Sequence, residues 1–218
     1  MESFSAPKLR EEQEKTLATP KRRNGFLAKI LFLTMDILYG RAGSFSKFKV
    51  LEIIARMPYQ AWENVAYIAI THKYSNHELA RRIFDRVHES RIQQDNEQWH
   101  LLILAEQIQK RGIQEGFIRF RLLPQILAFF YFHISWLLFV IKPSLSYRLN
   151  IDFEDHAEHE YMNFVKTNPQ LEDEPFESNF EKDYGKFNSM ADVFRQIGLD
   201  ERIHKEESMA RIEEARFR

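Results

Sequence analysis

The sequence predicts an all-α protein, and three observations support this prediction. The 218 residues include only seven glycines and seven prolines, so few positions break a helix. Helix-forming residues run in long stretches with little of the two-residue alternation that is typical of strands. The third observation is the motif Glu-x-x-His, which occurs twice, at Glu97–His100 and at Glu201–His204. On a helix, side chains three residues apart share a face, so each copy can present a carboxylate and an imidazole together.

The two motifs belong to a longer repeat. Glu52 precedes Glu97 by 45 residues and Glu154 precedes Glu201 by 47, and both upstream glutamates lie in apolar helical stretches. The chain is therefore interpreted as a duplicated helix pair. Four such helices supply four carboxylates and two imidazoles, which is the ligand set of di-iron or di-manganese carboxylate bundles of the ferritin-like kind.

A single Glu-x-x-His motif is most often part of a solvated helix surface. The similar pair Asp85-x-x-His88 is assigned to such a charged surface. The two motifs differ from it because apolar residues border them, for example Leu101 after His100 and Phe194 before Glu201. The motif thus occurs twice beside apolar residues, and each copy follows an upstream glutamate by nearly the same number of residues. This repetition favours a paired metal site.

The composition limits the other possibilities. The chain has no cysteine, which excludes disulfides, zinc–thiolate sites and iron–sulfur clusters, so any metal must be held by histidine and carboxylates. The length suits one core, and residues 25–218 are predicted as one bundle domain. No phosphate-binding loop, nucleophile elbow or nucleic-acid motif is present, so no nucleic-acid partner is expected.

Residues 1–24 are charged and polar. They include four early glutamates and no apolar stretch, a pattern that is not typical of a secretory or transit peptide. We expect a mobile polar arm on a protein that stays in the compartment where it is made.

Residues 25–40 are predicted to form a helix that lies in the membrane interface. The apolar stretch from Gly25 to Tyr39 is about 22 Å long as a helix, too short for a bilayer core of about 30 Å. Basic residues 21–23 precede it and could contact anionic lipid.

Residues 119–142 are predicted as a second interfacial helix. Hydropathy alone would favour a transmembrane span over 125–141, with Arg119 and Arg121 before it and Lys142 after it. A single crossing would place the two Glu-x-x-His motifs on opposite sides of the membrane. They could then not form one site, so the in-plane arrangement is preferred.

The remaining helices follow from periodicity and from their end signals. They are predicted over 46–71 with a bend at Pro58, over 76–110, over 143–168, and from a capping box at Ser189 and Asp192 onward. Between the last two lies an acidic loop, 168–188. Glu154 and Tyr161 are seven residues apart and so share a face of their helix.

Four stretches of the sequence resemble the alternative oxidase family, and most closely its plastid terminal oxidase (plastoquinol oxidase) branch. They are Val50–Tyr59, Asn96–Ile103, the run 128–147, and Glu154–Ala157 with Tyr161. The resemblance covers roughly residues 45–205. Gly198 and Leu199 stand where the family usually has an arginine before its last motif.

This resemblance implies a monotopic, non-haem di-iron quinol oxidase that reduces O2 to water without pumping protons. The implied partners are a quinol, with plastoquinol expected, O2, membrane lipid and further copies of the chain in a homo-oligomer. The implied location is one leaflet of a thylakoid membrane, or of the cytoplasmic membrane of a photosynthetic prokaryote or a related source.

The resemblance also implies roles for individual residues. The implied iron ligands are Glu52, Glu97, His100, Glu154, Glu201 and His204. Asn96 and Asp200 would hydrogen-bond to ligands, Tyr161 would be the redox-active tyrosine, and Lys47, Leu51 and Ala157 would line the quinol pocket. Tyr161 could instead be a core tyrosine with a satisfied hydroxyl, and Lys47 could instead extend toward lipid headgroups.

Three other functions stay open at the level of sequence. A quinone-ring hydroxylase on a similar membrane-bound bundle would add oxygen to its substrate instead of forming water. A ferritin-like iron-storage or peroxidase protein would not need apolar in-plane helices. A metal-free membrane scaffold would bind no iron.

Overall fold

The computed structural model describes residues 3–213, which form nine α-helices and no strand. The helices are α1 (Ala6–Ala18), α2 (Phe26–Tyr39), α3 (Phe45–Ala55), α4 (Met57–Lys73), α5 (His77–Lys110), α6 (Leu123–Ile141), α7 (Pro143–Thr167), α8 (Glu181–Tyr184) and α9 (Met190–Glu213). A π-helical turn, Ile118–Leu122, leads directly into α6, and a 3-10 turn, Pro169–Glu172, follows α7. The prediction of an all-α helical bundle is confirmed.

Side-chain hydrogen bonds explain where two of the helices begin. The Asn76 side chain accepts a hydrogen bond from the backbone N–H of Leu79 at the start of α5 (3.1 Å). At the start of α9, the Ser189 hydroxyl accepts one from the N–H of Asp192 (3.2 Å). Both caps satisfy an N–H that has no partner within its helix.

The bend predicted at Pro58 is a complete break. Helix α3 ends at Ala55 and α4 begins at Met57, so that Pro58 lies in the first turn of the new helix. Proline is tolerated at that position because its missing N–H would have no partner there in any case. The break lies between Glu52 and Tyr59, at the single residue Arg56.

The bundle consists of two helix pairs, in which α3 packs against α5 and α7 packs against α9. Aromatic side chains join the two pairs. The ring of Phe48 on α3 stacks on that of Tyr161 on α7 at 4.3 Å between centroids, and Phe194 on α9 contacts both rings. Helix α6 packs against α3, α4 and α7.

The prediction of a mobile arm over residues 1–24 is wrong for α1. This helix packs on α7 and α9, and its Leu9 side chain is fully buried. Gln13 donates a hydrogen bond to the carbonyl of Met162 (2.9 Å), and Arg202 contacts both Glu12 and Thr16. The polar residues that suggested an arm in water instead have partners in the bundle.

The two apolar helices form where they were predicted. Helix α2 exposes Phe26 and Ile37, at 77% and 74%, and α6 exposes an apolar face that includes Phe129 and Leu137. A cleft between the two helices is lined by apolar side chains of both, among them Ile30 and Phe130. Within the described part of the chain, one helical stretch, Ile118–Ile141, is long and apolar enough to cross a membrane.

Candidate metal centre

The six predicted ligands meet in the middle of the bundle. Helix α3 contributes Glu52, α5 contributes Glu97 and His100, α7 contributes Glu154, and α9 contributes Glu201 and His204. All six residues are at most 2% exposed.

The donor atoms form two overlapping groups. In the first, Glu52 and His100 lie with Glu97 and Glu201, and in the second, Glu154 and His204 lie with the same two glutamates. Within each group, one donor atom from each residue lies within 4.8 Å of the others. Glu97 and Glu201 thus belong to both groups. This arrangement fits two ions that share two carboxylates, while each ion has one glutamate and one histidine of its own.

Unpartnered polar atoms support this interpretation. Neither carboxylate oxygen of Glu97 or of Glu201 has a hydrogen bond among the described residues, and Oε2 of Glu154 has none either. Nδ1 of His204 lies 2.8 Å from Oε1 of Glu97 but does not meet hydrogen-bond geometry. Buried polar atoms are rarely left without partners, and atoms aimed at a common ion would show this pattern. The side chains present therefore fit a pair of divalent metal ions.

The electrostatics of the site agree. Burial raises the pKa of Glu52 to about 8 and outweighs the hydrogen bond with His100, which lowers it. Burial with the neighbouring carboxylates raises the pKa values of Glu154 and Glu201 well above their usual range. Burial alone would also raise the pKa of Glu97, but its contacts with two histidines outweigh burial and hold that pKa far below its usual range. Four carboxylates cannot all ionise in a dry site without positive charge, which two divalent cations would supply.

His100 is oriented by Asp200. Its Nε2 atom lies 3.1 Å from Oδ2 of Asp200, and its Nδ1 atom faces the carboxylates of Glu52 (3.2 Å) and Glu201 (3.4 Å). If Nε2 donates to Asp200, then Nδ1 is left free to bind a metal. Asn96 also donates to Asp200 (3.3 Å). The structure thus places Asp200 against the ligand His100, and Asn96 against Asp200.

Tyr161 contacts the centre directly, because its hydroxyl donates a hydrogen bond to Oε1 of Glu52. The side chain is fully buried. Gly198 on α9 explains how the helices approach closely here, since a Cβ at that position would lie 3.2 Å from Cβ of Tyr161 and 3.0 Å from Cε of Met162. A larger residue at 198 would require these side chains to shift by a few tenths of an ångström.

The residues predicted to line a quinol pocket lie near the centre in different environments. Leu51 and Ala157 are buried side chains on α3 and α7. The Lys47 ammonium group binds Oδ1 of Asp36 (2.9 Å) and the carbonyl of Gly40 (2.7 Å) at the end of α2. Lys47 is only 4% exposed, so it does not extend outward to a lipid headgroup, and the quinol-binding role of the three residues stays a prediction.

Sequence reasoning missed three residues that contact a ligand or Asp200, and a fourth, Asn150, that holds one of them. Tyr59 donates to Oε1 of Glu154 (2.6 Å), and Asn150 donates to the hydroxyl of Tyr59 (3.0 Å). Tyr184 and Gln196 donate to Asp200, at 2.7 and 2.9 Å. Two of them had a signal: Asn150 precedes Glu154, and Gln196 precedes Asp200, by four residues on the same helix face. Tyr184 lies at the end of α8, in the region 168–188 that was predicted as a loop. Residue spacing in a predicted loop does not indicate which side chains meet.

A third acidic group, Asp155, Glu158 and His159, also lies close together, but its charges are already compensated. The ammonium group of Lys205 binds both Asp155 and Glu158, and Arg202 also binds Glu158 (2.9 Å). This group ties α7 to α9 and is not assigned to a metal.

Comparison with known proteins agrees with the geometry. The sequence matches the family model described as alternative oxidase over residues 23–210. Ubiquinol oxidase 4 of Arabidopsis thaliana, described as chloroplastic/chromoplastic, is 33% identical over 144 residues, which are 66% of this chain and 37% of that relative. The chain therefore spans little more than a third of the length of this relative. No solved structure matches the chain.

Proposed function

The chain belongs to the alternative oxidase family, and from this premise we propose that it is a membrane-bound di-iron quinol oxidase. In the proposed reaction, two quinols are oxidised to quinones and one O2 is reduced to two waters, without proton pumping. The observation that carries the proposal is the pair of overlapping ligand groups that share Glu97 and Glu201.

The six ligands would hold two irons, which when bound would supply the binding and reduction of O2. The protein's own contribution is to keep the site dry and its donors fixed. The ligand side chains are fully or almost fully buried, and the unshared glutamates Glu52 and Glu154 each accept a hydrogen bond from a tyrosine. In this proposal the phenol of Tyr161 gives one electron and its hydroxyl proton toward the reduction of O2, and the second quinol returns both to the phenol.

The apolar faces of α2 and α6 support a monotopic attachment to one membrane leaflet, where a lipid-soluble quinol would be available. If α6 crossed the membrane, α3 and α5 would lie on one side and α7 and α9 on the other. The structure instead brings ligands of α3, α5 and α9 within 4.8 Å of one another in one group, and ligands of α5, α7 and α9 within that distance in the other. An in-plane α6 is compatible with this arrangement, and interfacial helices bind through their buried apolar area.

We further propose plastoquinol as the quinol and a photosynthetic membrane as the location. The relative described as chloroplastic supports this location. Because that relative is named a ubiquinol oxidase, the choice of plastoquinol rests on the sequence resemblance to the plastoquinol oxidase branch. Assembly into a homo-oligomer remains a prediction.

The function is tested with purified protein loaded anaerobically with Fe(II) and supplied with plastoquinol or ubiquinol in liposomes. We expect quinol-dependent O2 uptake, two quinols consumed per O2, an unchanged quinone ring by mass spectrometry, and uptake that continues at cyanide concentrations that stop haem oxidases. A quinone that gains an oxygen atom would show a hydroxylase instead. Iron oxidation that is independent of quinol would show a ferritin-like protein.

Matched variants connect the activity to the site. Glu97→Gln and Glu201→Gln each remove a shared ligand and should abolish both iron binding and O2 uptake. Asp85→Asn with His88→Gln changes the other carboxylate–histidine pair, whose two side chains are exposed, and should change neither. Full activity in a shared-ligand variant that binds no iron would contradict the proposal.

A further inference from the structure

We propose that Tyr59 is a positioning residue of the metal centre, the counterpart in the first helix pair of Tyr161 in the second. Tyr59 follows Glu52 by seven residues, and Tyr161 follows Glu154 by seven. Both tyrosine side chains are fully buried. The inference rests on the proposed metal centre and adds a residue to it.

The hydrogen bonds of the two tyrosines cross between the helix pairs. Tyr161 belongs to the helix pair that carries Glu154, and its hydroxyl donates to Glu52. Tyr59 lies in the chain segment that follows Glu52, and its hydroxyl donates to Glu154 (2.6 Å). Each tyrosine therefore supports the unshared glutamate of the other half. The site consists of two equivalent halves, each with one unshared glutamate and one unshared histidine. The same tyrosine hydrogen bond occurs in both halves, so the contact of Tyr59 is part of this two-fold pattern.

The surroundings of Tyr59 fix its hydroxyl group. Asn150 donates to this oxygen (3.0 Å) and also to the Ser208 hydroxyl (3.2 Å), so α7 and α9 together hold the acceptor side of the phenol. The only proton of the phenol is then directed at Glu154. The ring of Tyr59 packs edge-on against the ring of His204, with centroids 5.6 Å apart, so it contacts both unshared ligands of the second ion position.

This contact determines which oxygen of Glu154 faces the metal. Oε1 is occupied by Tyr59, while Oε2 is buried and has no hydrogen bond among the described residues. Fixing one oxygen leaves the other as the ligand atom. Partners that orient metal ligands in this way typically change metal affinity by about 10–100-fold when they are removed.

The test is an anaerobic titration with Mn²⁺, in which electron paramagnetic resonance measures the free ion and no quinol or O2 is present. The wild type should bind two tight equivalents. Tyr59→Phe keeps the ring and should weaken at least one equivalent by about 10–100-fold. A wild type that binds no Mn²⁺ would contradict the proposed metal centre, whereas two equally tight equivalents in both proteins would overturn only the role of Tyr59.

Tyr131→Phe is the matched control. Tyr131 is also buried, but its hydroxyl has no hydrogen-bond partner among the described residues, so its removal should leave both equivalents unchanged. If Tyr59→Phe does not fold, Asn150→Ala removes the donor that holds the phenol and should weaken binding in the same direction. Wild-type affinity in a folded Asn150→Ala protein would then overturn the proposal.

Discussion

Tyr59 and Tyr161 make equivalent hydrogen bonds but lie in different aromatic surroundings. The ring of Tyr161 is enclosed by Phe48 and Phe194, which are much harder to oxidise than tyrosine. The ring of Tyr59 lies edge-on against that of Trp62, at 5.2 Å between centroids, and the indole of Trp62 is oxidised as readily as a phenol. An oxidising equivalent on Tyr161 would therefore stay beside the metals, which is what a redox role in the reaction requires.

Tyr161→Phe separates this redox role from a positioning role. The variant removes one hydroxyl, so a residue that only packs or orients should lose about 1 kcal/mol of stability and recover its activity when iron is in excess. We expect the variant to fold, to bind two irons at saturating Fe(II), and to oxidise quinol almost not at all. Iron content and steady-state quinol oxidation are measured on the same sample.

Tyr59→Phe is the comparison for that experiment. At saturating Fe(II) it should regain quinol oxidation close to the wild-type rate, because a positioning defect is corrected by mass action. Rates within a few-fold of wild type for Tyr161→Phe would show that both tyrosines only orient carboxylates.

At the scale of single residues, the clustering of the six candidate ligands was predictable and the contacts of their neighbours mostly were not. The six ligands follow from a motif with a fixed helical spacing and from its repetition. Tyr59 is separated from Glu52 by a helix break, so the seven-residue spacing alone did not show that it reaches the site. In the sequence, Gly198 is only a departure from the family pattern. The structure shows that its missing side chain leaves room for Tyr161.

Among the elements, α2 and α6 present the largest apolar faces to the surroundings. Phe130→Glu with Leu137→Glu should move most of the protein from the membrane to the soluble fraction with its iron retained, because interfacial binding depends on buried apolar area. Both side chains are more than half exposed, so the substitutions should not disturb the core. Fractionation and iron analysis measure the two effects.

Phe84→Glu is the control, since Phe84 on α5 is 48% exposed but lies outside the α2–α6 face. It should leave the protein on the membrane. Deleting α2 is a poorer experiment, because Lys47 would lose its charged partner Asp36. Retention of the double variant in carbonate-washed membranes would indicate a true span.

The existence of these helices was predictable from hydropathy, and their ends were predictable from caps and breaks. The complete break at Arg56 was not, because a proline in a helical pattern can either kink a helix or end it. The π-helical turn before α6 had no sequence signal that we can identify.

For the molecule as a whole, α1 adds a layer that binds α7 and α9 largely through charge. Burial alone would raise the pKa of Glu12, but its ion pairs with Lys15, Lys8 and Arg202 outweigh burial and lower the pKa to about 2. A carboxylate with a lowered pKa stabilises the fold above its unfolded pKa of about 4.5, and this contribution disappears as the pH falls toward 2.

Glu12→Gln should therefore destabilise the protein by about 1–2 kcal/mol between pH 6 and 8. The figure is kept small because Lys8 and Lys15 are exposed, and solvent screens their ion pairs with Glu12. The difference from the wild type should shrink below pH 4.5 and vanish near pH 2. Urea unfolding at a series of pH values measures it. A difference that does not change with pH would mean that Glu12 acts by packing and not by charge.

The docking of α1 was not predictable, because its partners are far away in sequence. Arg202 lies 190 residues after Glu12, and nothing local in residues 6–18 distinguishes a helix bound by distant charges from a solvated arm. The pairing of α3 with α5 and of α7 with α9 was predictable, because the shared ligand pattern required it.

The two-fold pattern of the site has an evolutionary consequence. The segment with α3 and α5 contains two glutamates and one histidine for the metals, and the segment with α7 and α9 contains the same set. Two identical copies of either segment, associated as a homodimer, would already present four carboxylates and two imidazoles. An ancestral gene of about half the length could thus have encoded a complete centre, and its duplication and fusion would have freed the two tyrosines to diverge in their surroundings.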